Sequence, residues 1–486
     1  NYKINLIVNN ENLKGAPIIF EDNPTYSNLI CSIEHDNEQG LLKTNFNLIK
    51  SGSLHKANGG YLVINAKKIK KNKDAWEALK LALFNEEINI EVPEYSSEQA
   101  KPVSLEPYPI KLKVKIILIG ERYVLKSLAN TDHDFGELFK VCVDFDDTIH
   151  RNKSNIILYS KMIANIINKL SLKPFNCHAI AELIEFSSRT AEDKEKLSTH
   201  ISLLKNLIIE SDYFANLKKS KIVKKEHVDD AHNYQIERVN RIRDLYYEDI
   251  CRDFVVIKTK GKIVGQINGL SVVTTHKLSY GHPSRITAIV RAGRNNIVDI
   301  QRKIKLAGPS FVKGGIIISN FIAGRYDIGN TLSLFASFSF EQMYDEIDGD
   351  SASIAEVCAL LSALSECPIR QDLAVTGSMD QYGRVQAVGG INEKIEGFYD
   401  ICKLKGFNGS QGVIIPSVNI KNLMLREDIV NAVQKKIFFI YKITTIDEAI
   451  ELLTGYVSGI KINGKFTKNS INEKVENKLI SFNKNN

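Results

Sequence analysis

Asp348-Gly349-Asp350-Ser351-Ala352-Ser353, with the apolar run behind it and the later stretch Gly389-Gly390-Ile391-Asn392-Glu393-Lys394, decides how this chain folds. Ile354, Val357, Cys358, Leu361 and Leu364 recur at i, i+3, i+4, i+7 and i+10, the spacing of one apolar helix face. Leu373 to Thr376 then reads as a strand, Asp380-Gln381-Tyr382-Gly383 as a turn, and Arg384 to Val388 as a second short strand. A new helix is expected near Ile391. Ser351 thus stands at the mouth of one helix and Lys394 in the first turn of another, with a hairpin between them.

A serine ahead of an apolar periodic run is ordinarily an N-cap. Here Ser353 and Glu356 have the spacing of a capping box, which leaves Ser351 just outside it. In that glycine-containing turn, Gly349, Asp350 and Ala352 surround a point where backbone N–H groups and a positive helix end converge, a setting that stabilises an oxyanion. A serine hydroxyl needs a base to take its proton. His282 lies in Tyr280-Gly281-His282-Pro283, which reads as a turn, so no His–Asp pair is expected. Lys394 can serve if its pKa falls from about 10.4 towards roughly 7–8, which desolvation and the helix N-terminus both favour. Taken singly, Ser351 reads as a cap and Lys394 as a solvated charge; the pairing carries the inference.

With Thr376-Gly377-Ser378 between them, these segments resemble the proteolytic domain of Lon proteases, and the 43 residues from Ser351 to Lys394 are the family's separation of catalytic serine and lysine. The resemblance implies that Ser351 is the nucleophile, Lys394 the general base, Thr376 a hydrogen-bond partner of the amine, and Asp348 a residue lining the site. Gly-Asp-Ser-Ala-Ser is similar to the archaeal-type Lon B and Lon C branches. It further implies a homohexameric ring, unfolded or damaged proteins as substrates, added-strand recognition of those substrates, and a role in protein quality control. The alternative is a catalytically silent ring-forming scaffold or adaptor of the same fold.

The 486 residues suffice for two to four domains. An apolar fraction of 43% and a charged fraction of 25% are those of a soluble globular chain. A net charge of +7 does not demand nucleic acid, and the lysines at 218, 219, 221, 224 and 225 read as a solvated face because aromatics are not interleaved with them. Seven cysteines without a Cys-x-x-Cys pattern suit packed thiols in a reducing cytosol, with no metal site. No run reaches the length of a membrane span and none reads as a signal peptide. Asn1 in mid-pattern is what a fragment would show.

The expected architecture is multidomain α/β. Residues 1–150 read as an α/β module with strands Lys3–Val8, Tyr61–Asn65 and Val114–Gly120 and a helix Asp74–Phe84 carrying Trp76 into the core. Phe20-Glu21-Asp22-Asn23-Pro24-Thr25-Tyr26 and Leu54-His55-Lys56-Ala57-Asn58-Gly59-Gly60 resemble a degenerate AAA+-type module. Where a nucleotide hydrolase carries Asp-Glu after its strand, this chain has Asn65 and Ala66, and it contains no phosphate loop. No cofactor is required on this reading; ATP and Mg²⁺ are not expected unless an upstream or partner segment supplies the missing parts. Residues 151–249 read as a helical lid ending in a long helix Lys225–Tyr247. Residues 250–457 read as the Lon-type α/β proteolytic domain, with strands at Asp253–Lys258, Leu270–Thr274, Ile286–Val290, Gly314–Ser319, Val413–Pro416 and Ile437–Ile443, a last helix Ile446–Leu453, and turns at Gly261, Gly265 and Gly269. Residues 458–486 read as a flexible Lys/Asn-rich tail.

Overall fold

The apolar runs sort into two units that divide between Phe145 and Asp146 in the computed structural model, which describes residues 4–34, 36–38, 41–90, 107–275, 278–293, 296–326 and 333–484. In the first unit, strands β1 (Ile18–Glu21), β2 (Tyr61–Asn65) and β3 (Lys115–Ile119) form a parallel sheet in the order β1-β2-β3. Leu62 and Ile64 of β2 point to a core shared with Trp76 and Leu79 of the helix α2 (Lys73–Asn85), which follows α1 (Ala66–Lys71). Trp76 is buried and donates its indole N–H to Asp132 Oδ2 at 2.6 Å, so its polar tip is satisfied. The strand expected at Lys3–Val8 is not formed over its described part: Ile4 and Leu6 are exposed and pair with no strand, and Ile18–Glu21 takes the edge instead.

The second unit begins with a helical layer. α3 (Lys153–Lys169), α4 (Cys177–Thr190), α5 (Ile201–Leu217) and α6 (Lys225–Glu237) enclose a core of Ile163, Leu183, Leu207 and Val228. A two-stranded ribbon of β4 (Thr148–His150) and β5 (Lys196–Ser198) accompanies them. The long helix expected at Lys225–Tyr247 is broken after Glu237 and resumes as α7 (Arg241–Cys251), because Tyr247 and Ile250 turn into a different core with Tyr280 and Ile401. Lys218, Lys224 and Lys225 form ion pairs with Asp230, Glu226 and the set Glu182, Asp229 and Glu427.

The remainder is built on a seven-stranded mixed sheet. Its strands are β6 (Gln266–Thr274), β7 (Ser279–Ala292), β8 (Asn296–Asp299), β9 (Leu334–Glu341), β10 (Leu373–Val375), β13 (Gly412–Pro416) and β14 (Phe439–Ile443), in the order β8-β9-β7-β6-β10-β13-β14. A separate small hairpin pairs β11 (Ser378–Met379) with β12 (Val385–Gln386). Helices α8 (Pro309–Arg325), α9 (Ser353–Ser365), α10 (Ile391–Lys405), α11 (Ile446–Thr454) and α12 (Ile471–Lys484) cover the sheet. Among the described residues no helix is long and apolar enough to cross a membrane.

Several expectations are corrected here. Residues 253–258 form no strand. Gly314–Ser319 lies inside α8: Phe311, Ile318 and Ile322 turn into the core while Ile316 is exposed, a helical period that the β-branched run obscured. Gly269 is not a turn but a strand residue, and a Cβ there would meet Ile286 Cδ1 at 2.5 Å. The segment around His282 is not a turn either but part of the long strand β7. Residues 458–484 are no loose tail, and the domain expected to end at 457 continues through them: Ile471, Val475 and Leu479, at i, i+4 and i+8, bury one face of α12 in the core that contains α9. Buried Asn472 accepts from the Tyr326 hydroxyl at 2.5 Å and donates to the Gly459 carbonyl at 2.8 Å. The Lys/Asn-rich composition concealed that apolar stripe. The cysteines are all free, but only Cys31, Cys358, Cys367 and Cys402 are packed inside.

Candidate active site

Every residue of α9 from Ser353 to Ser365 is buried, so the helix is wrapped on all sides and not on one face alone. Its first turn is consequently held rigidly. Gly349, at φ +107°, bends the chain, and the Asp350 carbonyl accepts from the Ser353 N–H at 3.1 Å and the Ser353 hydroxyl at 2.7 Å. The expected capping box does not form, since Ser353 lies inside the helix and Glu356 is enclosed in the core, where burial raises its pKa to about 8. The Ser351 carbonyl accepts from the Gly377 N–H at 2.8 Å and from Thr376 Oγ1 at 3.3 Å. A Cβ on Gly377 would meet Ile354 Cδ1 at 2.2 Å, so the segment that follows strand β10 runs close against the helix mouth. Among the described residues none accepts a hydrogen bond from the Ser351 or Ala352 N–H, which leaves these amides at the helix N-terminus open to a ligand.

Asp348 borders the same cavity, yet its carboxylate is already occupied. Oδ1 accepts from the N–H groups of Gly349, Ser310 and Phe311 at 2.8, 3.0 and 3.3 Å. It thereby caps α8 from outside, and these bonds hold its carboxyl below the usual range. The residue at the cap position is Gly308, where a Cβ would lie 2.4 Å from Asp348 Cγ.

Lys394 is carried by the first turn of α10, whose N-cap Gly390 adopts φ +62°. The side chain is 3% exposed, and Nζ donates to Thr376 Oγ1 at 3.1 Å. Burial lowers its pKa to about 8, while the charges of Asp350 and then Glu393 pull the other way. Thr376 therefore touches both partners: its hydroxyl receives the amine and gives its proton to the Ser351 carbonyl. Ser351 and Lys394 line one cavity of about 520 Å³ with Asp350, Gly389, Gly390 and Val272, and no hydrogen bond joins the two side chains directly.

The position of α10 rests on two glycines, Gly281, which reads as a turn residue in the sequence, and Gly397, which sequence reasoning passed over. A Cβ on Gly281 of β7 would meet the Glu393 carbonyl oxygen at 2.0 Å, and one on Gly397 would meet the Gly281 carbonyl oxygen at 2.5 Å. Strand and helix backbones are in contact there. Asn392 fixes the same turn by donating to the Asn422 carbonyl at 2.9 Å and accepting from the Met424 N–H at 2.7 Å. His282 stacks on Tyr246 at 3.9 Å, and burial lowers its pKa to about 4, so it is a neutral packed ring. A larger cavity, about 960 Å³, separates the lid helices from the outer face of α10. It holds paired charges, including the Arg189–Glu396 bridge at 2.7 Å, and lies away from Ser351. In the first unit, Asn65 Oδ1 accepts from Lys67 N and Lys68 N at 3.0 and 3.2 Å and so caps α1, while Ala66 is fully buried. The Asn65 side-chain oxygen is thus engaged at a helix cap, and the Ala66 methyl offers neither a metal ligand nor a base.

Residues 14–146 match the family described as LonB-like AAA domain, residues 174–238 the archaeal LonB AAA+ ATPase lid domain, and residues 346–455 the C-terminal proteolytic domain of Lon protease (S16). The chain is 34% identical over 409 residues to a putative Lon protease homolog of Haemophilus influenzae, covering 83% of this chain and 66% of that protein. It is 32% identical over 412 residues to a putative Lon protease homolog of Escherichia coli, covering 84% and 69%. The archaeal Lon protease of Thermococcus kodakarensis is 26% identical over 457 residues, covering 92% and 68%. The chain thus spans about two thirds of the length of these relatives. Three matches in AAA, lid and protease order, the last spanning both Ser351 and Lys394, together with a relative 32% identical and covered over 69% of its length, lead to one conclusion: the chain belongs to the Lon protease family.

Proposed function

We propose that this chain is a serine endopeptidase in which Ser351 attacks a peptide carbonyl and Lys394 moves the proton. The observation that carries the reading is the Lys394 amine, 3% exposed and bonded to Thr376 Oγ1 beside the Ser351 turn. A neutral amine accepts the Ser351 proton as Oγ bonds to the carbonyl carbon. The resulting oxyanion lies against the N–H groups of Ser351 and Ala352. The ammonium then protonates the leaving amine as the peptide bond breaks. Water, deprotonated by the same amine, attacks the ester and frees Ser351. Thr376 orients the amine, and Asp348 keeps the turn in place through α8.

The substrates on this reading are unfolded or damaged proteins, taken by a homohexameric ring in the cytosol as part of protein quality control. The same reading has this chain neither hydrolyse ATP nor bind nucleic acid strongly, and three of the five lysines at 218–225 are engaged in ion pairs. The alternative is a silent scaffold, favoured by the absence of a direct bond between Ser351 and Lys394; catalytic hydrogen bonds often close only with substrate. Incubation of unfolded casein with the parent, Ser351→Ala and Lys394→Met decides between them. Cleavage by the parent and by neither variant is expected, with no dependence on ATP. Cleavage by Ser351→Ala at the parent rate would overturn the assignment, and an inert parent would favour the scaffold.

A further inference from the structure

Ser378 is the residue of the Thr376-Gly377-Ser378 run whose side chain has no part in the steps above. It is 2% exposed and lies opposite Gln386 in the hairpin of β11 and β12. Its Oγ donates to Asp350 Oδ2 at 2.7 Å. Asp350 immediately precedes the proposed nucleophile, and its carbonyl is fixed by two hydrogen bonds from Ser353. What can still move is its side chain. No ion pair joins it to Lys394, although both line one cavity.

Building on the Ser351–Lys394 reading, we propose that Ser378 is a positioning residue whose hydroxyl holds the Asp350 carboxylate out of an ion pair with the Lys394 amine. A carboxylate closing to within about 4–6 Å stabilises the protonated form of a neighbouring base by roughly 1–3 pH units. Such a pair would leave Lys394 charged at neutral pH and unable to take the Ser351 proton. Other carboxylates face the same space, Glu393 on the same helix and Asp348 and Glu192 at its border. Tyr280 and His282, on the strand β7 packed on α10, lie outside that lining. Asp348 is committed to three backbone N–H groups, and His282 is an uncharged ring stacked on Tyr246. Asp350 is the carboxylate that a single hydroxyl restrains.

The test is competitive acetylation of the full chain with trace acetic anhydride between about pH 6 and pH 11, read at Lys394 by peptide mapping, beside the pH profile of kcat/KM on casein. In the parent, Lys394 should become reactive around pH 8. Ser378→Ala should move that midpoint up by about one pH unit or more, as expected for a carboxylate that already acts on the amine and is now drawn into contact with it. The acid limb of kcat/KM should follow it, with cleavage near pH 7 down about tenfold and regained near pH 10. Ser378→Cys, which keeps the volume but weakens the donor, should shift it in the same direction. Ser378→Ala combined with Asp350→Asn should return the midpoint to the parent value or below. An unmoved midpoint in Ser378→Ala overturns the proposal, as does a raised midpoint that Asp350→Asn does not reverse. The proteolytic reading fails separately, if the parent's acid limb does not track the Lys394 midpoint.

Discussion

Replacing Lys394 by Met should abolish cleavage and yet make the protein more stable at neutral pH. Burial of the amine lowers its pKa from 10.5 to about 8. At about 1.4 kcal/mol per pH unit, this drop means that the native state gives up roughly 3 kcal/mol wherever lysine is protonated in both states, below about pH 8. Between about pH 8 and 10.5 the unfolded chain retains a proton that the native state has shed, so parent stability climbs across that window and the penalty vanishes above it. Met fills the same space without a charge. The lost hydrogen bond to Thr376 offsets about 1 kcal/mol, leaving the variant ahead by roughly 2 kcal/mol at neutral pH. Urea unfolding of parent and variant, followed in parallel from about pH 7 to pH 10.5, measures the gap, and all other titrating groups cancel in the difference. A gap that closes as pH rises supports the account. A gap that is constant with pH, or a variant less stable at pH 7, would refute it.

Three further substitutions probe the frame around the site. Glu356 is fully buried and its pKa is raised to about 8, so the native state keeps a proton that the unfolded chain releases above about pH 4.5; the stability this gives is present at low pH and is lost as pH rises to about 8. Glu356→Gln should remove that slope and stabilise the fold by a few kcal/mol near pH 8 in urea unfolding. Leu479→Ala, in the helix that closes the protease core, should cost about 2–5 kcal/mol and reduce cleavage only as far as the fold is lost; a cost under about 0.5 kcal/mol would mean that α12 is not packed as described. Gly397→Ala would drive a methyl into the Gly281 backbone at 2.5–2.7 Å, and should cost about 1–3 kcal/mol in unfolding while lowering kcat more than it raises KM.

The pieces of the site were legible because their chemistry is local. Helix periodicity after Ser351, the turn at Gly383 and the helix start at Gly390 each appear in a few residues, and they position the two segments as the spacing implied. What the sequence could not display is contact between distant segments. Gly281 looked like a turn residue because nothing nearby reveals that Gly397 lies against it. Asp348 lines the cavity as expected, but its capping role was hidden because the N–H groups it receives, on Ser310 and Phe311, come from another helix. Ile316-Ile317-Ile318 favoured strand by side-chain branching, and tertiary packing overrode that preference. The terminal helix was hidden by its lysines and asparagines, which flank a narrow apolar stripe and include the buried Asn472.

The central claim is that a buried amine of lowered pKa makes Ser351 a nucleophile. Labelling of the full chain with an acylating serine-protease inhibitor across about pH 6–10, followed by peptide mapping, tests it most directly. The account predicts a single adduct on Ser351, forming faster as pH rises through about 8 and absent in Lys394→Met. An adduct at another residue, or Ser351 labelling that is as fast in Lys394→Met as in the parent, would contradict it.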